Sequence, residues 1–98
     1  MLRKSLKELK KLKVAQHRAD VNIGKNGLHP GVVEEIRRRL EIEKVIKIRI
    51  LKNARNKVSE EDIEELARRL NAIIVDSRGY TFVLAKRYLS SAKATKSS

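Results

Sequence analysis

Apolar residues along this chain repeat with two different periods, and the switches between them divide the sequence into elements. Leu2, Leu6, Leu9 and Leu12 recur every three to four residues in a lysine-rich stretch, the spacing of one face of an amphipathic helix over residues 2–13. Over 19–23 the period shortens: Val21 and Ile23 alternate with Asp20 and Asn22, which predicts a short strand. Gly24-Lys25-Asn26-Gly27 interrupts it as a turn bounded by glycines. Pro30 then fits the first position of a helix reaching about Ile42, with Leu28 placed to staple onto Val33 and with Val33, Ile36 and Leu40 on its apolar face. Glu34 and Glu35 lie toward the positive end of that helix and Arg37 to Arg39 further along, an order that suits its dipole.

Strict alternation returns over 45–52, where Ile46, Ile48 and Ile50 face one way and Lys47, Arg49 and Leu51 the other, so a strand with one buried face is expected. Residues 53–57 form a polar basic loop. Ser59, with Asp62 three residues on, marks a helix start, and Val58 and Ile63 form its staple; Ile63, Leu66, Ala67 and Leu70 supply the apolar stripe. Residues 72–75 and 80–86 read as two strands joined by a hairpin turn at Asp76-Ser77-Arg78-Gly79. The order is α-β-α-β-α-β-β. It predicts a single α/β domain over residues 1–88, with a mixed four-stranded sheet packed by three helices and parallel pairing in the strand–helix–strand units. Residues 89–98, rich in Ser, Ala and Lys without apolar pattern, are expected to form a disordered basic tail.

Charge changes what this scaffold is for. Lys and Arg number 24 against 12 Asp and Glu, a formal net charge of +12. Such a field attracts polyanions, of which nucleic acid is the commonest. The acid is gathered at Glu60, Glu61, Asp62, Glu64 and Glu65, and none follows Asp76, so most of the remaining surface is positive. The chain contains no cysteine, which excludes disulfides, thiolate metal sites and a thiol nucleophile. No apolar run is long enough to span a bilayer, and the first residues lack a small-residue cleavage site; a cytoplasmic protein without a membrane partner is expected. Heavy use of Lys, Glu, Arg and Ile is the bias of heat-adapted, for example archaeal, proteins.

The candidate chemistry lies in the glycine-bounded loop between a strand and a helix start. Without side chains, Gly24 and Gly27 can adopt backbone angles closed to other residues and let a ligand come close. The following helix points unpaired N–H groups toward the loop, Lys25 adds a mobile charge and Asn26 an amide. Nucleic-acid backbone is clamped by loops of this G-x-x-G type. A tight turn that only glycine can make would leave the same pattern; charge and flanking sequence favour binding.

Those flanks carry a resemblance. Val21-Asn22-Ile23-Gly24-Lys25-Asn26-Gly27-Leu28, followed by Gly31-Val32-Val33-Glu34-Glu35-Ile36, resembles the signature of CRM domains, and most of all the free-standing YhbY-like RNA-binding proteins. The first helix, the stretch Glu43 to Ile50 and the closing Tyr80-Thr81-Phe82-Val83-Leu84-Ala85 are similar as well. The resemblance implies a fold close to the C-terminal domain of translation initiation factor three. It implies RNA contact by Gly24, Lys25, Asn26 and Gly27, and structured RNA as partner, ribosomal RNA or pre-ribosomal particles in particular. His29-Pro30 departs from the Thr or Ser usual before the second helix, and the turn at 77–79 from the usual Gly-Lys/Arg turn.

Other residues extend or compete with this reading. Lys47, Arg49 and Lys52 on one strand face, and Arg37 and Arg38 on the second helix, would lengthen an RNA track, or simply keep their surfaces soluble. His29 could touch a phosphate or cap the helix. His17 and His29 lie in no metal-ligand spacing, and no cofactor or small-molecule substrate is implied. With Tyr80, Phe82 and Tyr88 as the only aromatics, recognition is expected to lean on backbone, shape and charge; Tyr80 and Phe82 are assigned to strand packing. The rivals are an Alba-like duplex-DNA-binding protein and a metal-dependent RNA-processing enzyme using Glu61 and Glu65. A non-enzymatic RNA-binding role is preferred to both, since no histidine or nearby glycine loop supports catalysis.

Overall fold

A computed structural model describes residues 5–87. The elements are α1 (Leu6–Ala15), β1 (Val21–Ile23), α2 (Pro30–Glu43), β2 (Val45–Ile50), a single 3₁₀ turn (Lys52–Ala54), α3 (Glu60–Arg69), β3 (Ala72–Arg78) and β4 (Thr81–Lys86). The expected tail and Leu2 lie outside the described residues.

The sheet is four-stranded, in the order β1-β2-β4-β3. β1 and β2 pair in parallel through α2, as expected for a strand–helix–strand unit. The second strand–helix–strand unit is split: β4 inserts antiparallel between β2 and β3, so β2 and β3 are not neighbours. Periodicity shows that strands exist, but not which edges they choose. The β3–β4 hairpin also differs from expectation. β3 continues through Asp76, Ser77 and Arg78 past an irregularity between Ile74 and Asp76, and Arg78 pairs with Thr81. The loop is therefore Gly79-Tyr80, with Gly79 at φ +57°.

Helices cover both faces of the sheet. Ile46, Ile48 and Ile50 pack with Val21, Ile23 and Phe82 against Val32, Ile36 and Leu40 of α2 and Ile63, Leu66 and Ala67 of α3. On the reverse face Val45, Val83 and Ala85 pack under Leu6, Leu9 and Val14 of α1. β2 is thus covered on both sides rather than one, and Lys47 is only 7% exposed. The helix faces are rotated slightly from expectation: Val32 rather than Val33 is the buried residue at the start of α2, and Leu12 of α1 is 53% exposed while Val14 takes the contact.

Local capping fixes the helix starts. Ser5 and Glu8 form a reciprocal capping box on α1, as Ser59 and Asp62 do on α3. A three-way polar contact ties the α1 end to the sheet: the Lys13 ammonium donates to Asp20 at 2.8 Å and to Glu43 at 2.9 Å, and Asp20 also accepts the Lys47 N–H at 2.8 Å. Burial pushes the Asp20 carboxyl up, but these bonds outweigh it and hold its pKa below the ordinary value. Burial likewise opposes the Lys13 charge, and its two carboxylate partners still raise its pKa.

Candidate functional site

Because β1 and β2 are parallel, their carboxyl ends finish together, and the antiparallel β3–β4 hairpin turns at the same end. Consecutive N–H groups of Ile50 and Leu51 donate to the carbonyls of Tyr80 at 2.8 Å and Ile23 at 2.9 Å. This peptide locks three connections side by side: the glycine loop after β1, the basic segment after β2, and the Gly79-Tyr80 turn.

The glycine loop closes as a tight turn in which the Gly27 N–H donates to the Gly24 carbonyl at 2.8 Å. Its glycines differ. Gly27 is buried and stands at φ +65°, and a Cβ there would meet Val58 Cγ2 at an ordinary 3.7 Å, so backbone angle rather than space demands glycine. Gly24 has no positive φ, and a Cβ on it would meet nothing within 4 Å. Of the two glycines, which both can adopt angles closed to other residues, only Gly27 does so. Lys25 and Asn26 are exposed between them. The Lys57 ammonium donates to the Lys25 carbonyl at 2.6 Å, fastening the loop to the segment before α3.

The start of α2 faces the same end. His29 is its N-cap, and His29 Nδ1 accepts the Gly31 N–H at 3.1 Å. Nδ1 as acceptor puts the ring proton of the neutral imidazole on Nε2, where the exposed ring can still donate outward, so capping and anion contact are compatible. The first turn of α2 holds no acidic residue, whereas that of α3 holds Glu60, Glu61 and Asp62. The positive end of α2 thus carries no carboxylate, while α3 neutralises its own. Glu34 lies beyond the first turn and is occupied by Arg37, whose hydrogen bond holds the Glu34 carboxyl below its ordinary range.

Of the other residues singled out from sequence, Lys52 joins the site, exposed at the start of the 3₁₀ turn. Arg37 and Arg38 are exposed on α2, about 10 Å along the helix from its start. Lys47 does not join it. α1 covers that face of β2, and the Lys47 ammonium donates to the carbonyls of Val14 at 3.3 Å and of Gln16, at the end of α1. Arg49, on the same face, donates to the His17 carbonyl at 3.2 Å. The sequence reading missed Arg55 and Lys57, whose signal was present: Lys52-Asn53-Ala54-Arg55-Asn56-Lys57 carries three cations without an acid. It also missed Tyr80, which is 45% exposed and lies under the Arg55 guanidinium, 4.0 Å from the ring centroid. Phe82 is buried in the sheet as expected. Among the described residues no three His, Asp or Glu side chains gather as a metal set, and no helix is long and apolar enough to cross a membrane.

A family model described as the CRS1 / YhbY (CRM) domain matches residues 1–86, which takes in the glycine loop, the basic segment and the closing strand. The chain belongs to the CRM domain family. Among solved structures, this CRM domain is similar to the solution structure of a Staphylococcus aureus protein described as a candidate RNA-binding protein. The two are 25% identical, with a TM-score of 0.56, and the match covers 82% of this chain and 81% of that one. Comparison with curated proteins gives no match. In this CRM domain the Gly24–Gly27 loop sits at the carboxyl end of the parallel strand pair, beside the basic segment after β2 and the start of α2.

Proposed function

We propose that this CRM domain is a non-enzymatic cytoplasmic protein that binds structured RNA by its backbone, and that it acts in ribosomal RNA folding or large-subunit maturation. The observation that carries the reading is the meeting of Lys25 and Asn26 with Lys52 and Lys57 at one end of the sheet, beside the acid-free start of α2. Backbone N–H groups and mobile ammonium groups are what phosphates bind. Family membership and the RNA-binding description of the Staphylococcus aureus neighbour support the same class of partner. Gly24, Lys25, Asn26, Gly27, His29 and Lys52 form the proposed contact, with Arg37 and Arg38 as its extension along α2. Lys47 is left out because α1 covers it and its ammonium is held against the Val14 and Gln16 carbonyls, away from solvent.

The test is fluorescence anisotropy with a ribosomal-RNA stem-loop, single-stranded RNA and a DNA duplex, for the native protein and for Lys25→Asp/Asn26→Asp. Both positions are exposed, so the variant should stay folded. Preference for structured RNA, with a loss of about tenfold or more in the variant, supports the reading. Unchanged binding by the variant would remove the loop from the site, and equal or tighter duplex-DNA binding would point to a chromatin-type protein. Cofractionation of the protein with large-subunit precursors in cell extracts is expected for the ribosomal role.

A further inference from the structure

We infer that Arg55 and Tyr80 form a stacking platform for one unpaired nucleobase of the bound RNA. The inference rests on the proposed RNA reading and deepens it, from backbone grip to a preference for RNA with an unstacked base beside the gripped phosphates. Tyr80 is the only aromatic ring that the described residues leave exposed, since Phe82 is buried. Its place is fixed by backbone: the Tyr80 carbonyl accepts from Ile50 N–H while the Ile23 carbonyl, one residue before Gly24, accepts from Leu51 N–H. Tyr80 and the glycine loop are thus held on either side of β2, two strand spacings or roughly 10 Å apart. The Arg55 guanidinium lies over the ring at 4.0 Å from its centroid. Arg55 is itself exposed.

A solvated aromatic ring at a hairpin tip adds little to a core. A guanidinium positioned over it adds charge and a second planar group, the combination on which bases stack with little regard to sequence. Cations flank the pair: Lys52 precedes it in the same segment, and Lys57 follows it and holds the loop. A phosphate at Lys25 and a base at Tyr80 can then belong to the same or adjacent nucleotides of a bulge or loop. A fully paired duplex keeps its bases inside and cannot use the platform.

The experiment compares a stem-loop carrying a single-nucleotide bulge with the same stem fully paired, for the native protein, Tyr80→Leu, Tyr80→Phe and Lys25→Asp/Asn26→Asp. Circular dichroism checks folding. Tyr80→Leu is expected to bind the bulged RNA roughly 5- to 100-fold more weakly and the paired stem as the native protein does, with Tyr80→Phe restoring bulge binding. If folded Tyr80→Leu keeps the native preference while the loop variant loses both RNAs, the platform is refuted and the loop reading survives. If native protein binds neither RNA, the RNA reading itself fails and the platform with it. A second measurement needs no variant: 2-aminopurine at the bulge should change its emission when native protein binds, as an unstacked base restacks on the protein. Binding with unchanged emission would overturn the inference.

Discussion

At Gly27 the backbone stands at φ +65°, and at Gly24, three residues earlier in the same turn, it does not. Their substitutions should separate stability from binding. Gly27→Ala forces an L-residue into the left-handed region and is expected to cost about 1–2 kcal/mol, read as a shift in urea midpoint without a change in slope. Gly24→Ala meets open space in the protein and is expected to fall within about 0.5 kcal/mol of native, since alanine also restricts the unfolded chain. If the loop grips phosphate as proposed, that methyl group would stand in the way of the approaching ligand. RNA affinity should fall several-fold in this variant while stability does not. A Gly24→Ala protein that binds RNA as native does would show that the ligand keeps its distance from that glycine. The pair also shows what a single sequence can tell about a glycine: the G-x-x-G spacing is visible, but the reason for each glycine depends on φ and on neighbours such as Val58, thirty-one positions on.

Element by element, what was legible is what is local. Alternation of Ile46, Ile48 and Ile50 marks β2, and Ser59 with Asp62 marks the start of α3; both depend on residues within one strand or one turn. The Ser5–Glu8 box was equally local and shows that α1 begins later than its leucines imply. What was not legible depends on contacts distant in sequence. Lys47 reads as a solvent-facing lysine until α1 closes over it, and Tyr80 reads as a strand residue until the hairpin tightens to Gly79-Tyr80. Nothing in the apolar pattern puts β4 between β2 and β3. The Lys13–Asp20–Glu43 contact is the polar counterpart of such packing, holding α1 to the start of β1 and the end of α2. Asp20 has its pKa lowered, so its contribution is complete above the ordinary carboxylate range and disappears as pH falls through the lowered value. Lys13 has its pKa raised, so its contribution is complete below the ordinary lysine range and disappears as pH rises through the raised value. Between these limits Asp20→Asn should cost about 1–3 kcal/mol. Denaturant titrations at neutral pH and in acid check this: the gap between native and variant should narrow once Asp20 is protonated, and a constant gap would mean that the charge is immaterial.

On the scale of the whole molecule, a net charge of +12 would attract RNA to almost any surface, so affinity alone does not locate a site. The fold breaks that uniformity. Glu60, Glu61 and Asp62 stand at the start of α3, three residues beyond Lys57, and set an acidic border to the proposed interface. Lysines in the same sequence then differ in what they can contribute: Lys52 is exposed at the sheet end, whereas Lys47 is buried and bonded to the end of α1. Salt dependence resolves the two. Four to six phosphate contacts give the native protein a log–log slope of roughly −3 to −5 against salt concentration. Lys52→Ala is expected to reduce that magnitude by about one while leaving stability within about 0.5 kcal/mol of native. Lys47→Met keeps the apolar stem but removes the ammonium from the α1 carbonyls. It should lower stability by about 1–2 kcal/mol and leave the slope of the folded protein unchanged. Were the slope instead to drop by one in Lys47→Met and stay native in Lys52→Ala, RNA would be meeting the α1 side of the sheet, and the interface would have to be moved there.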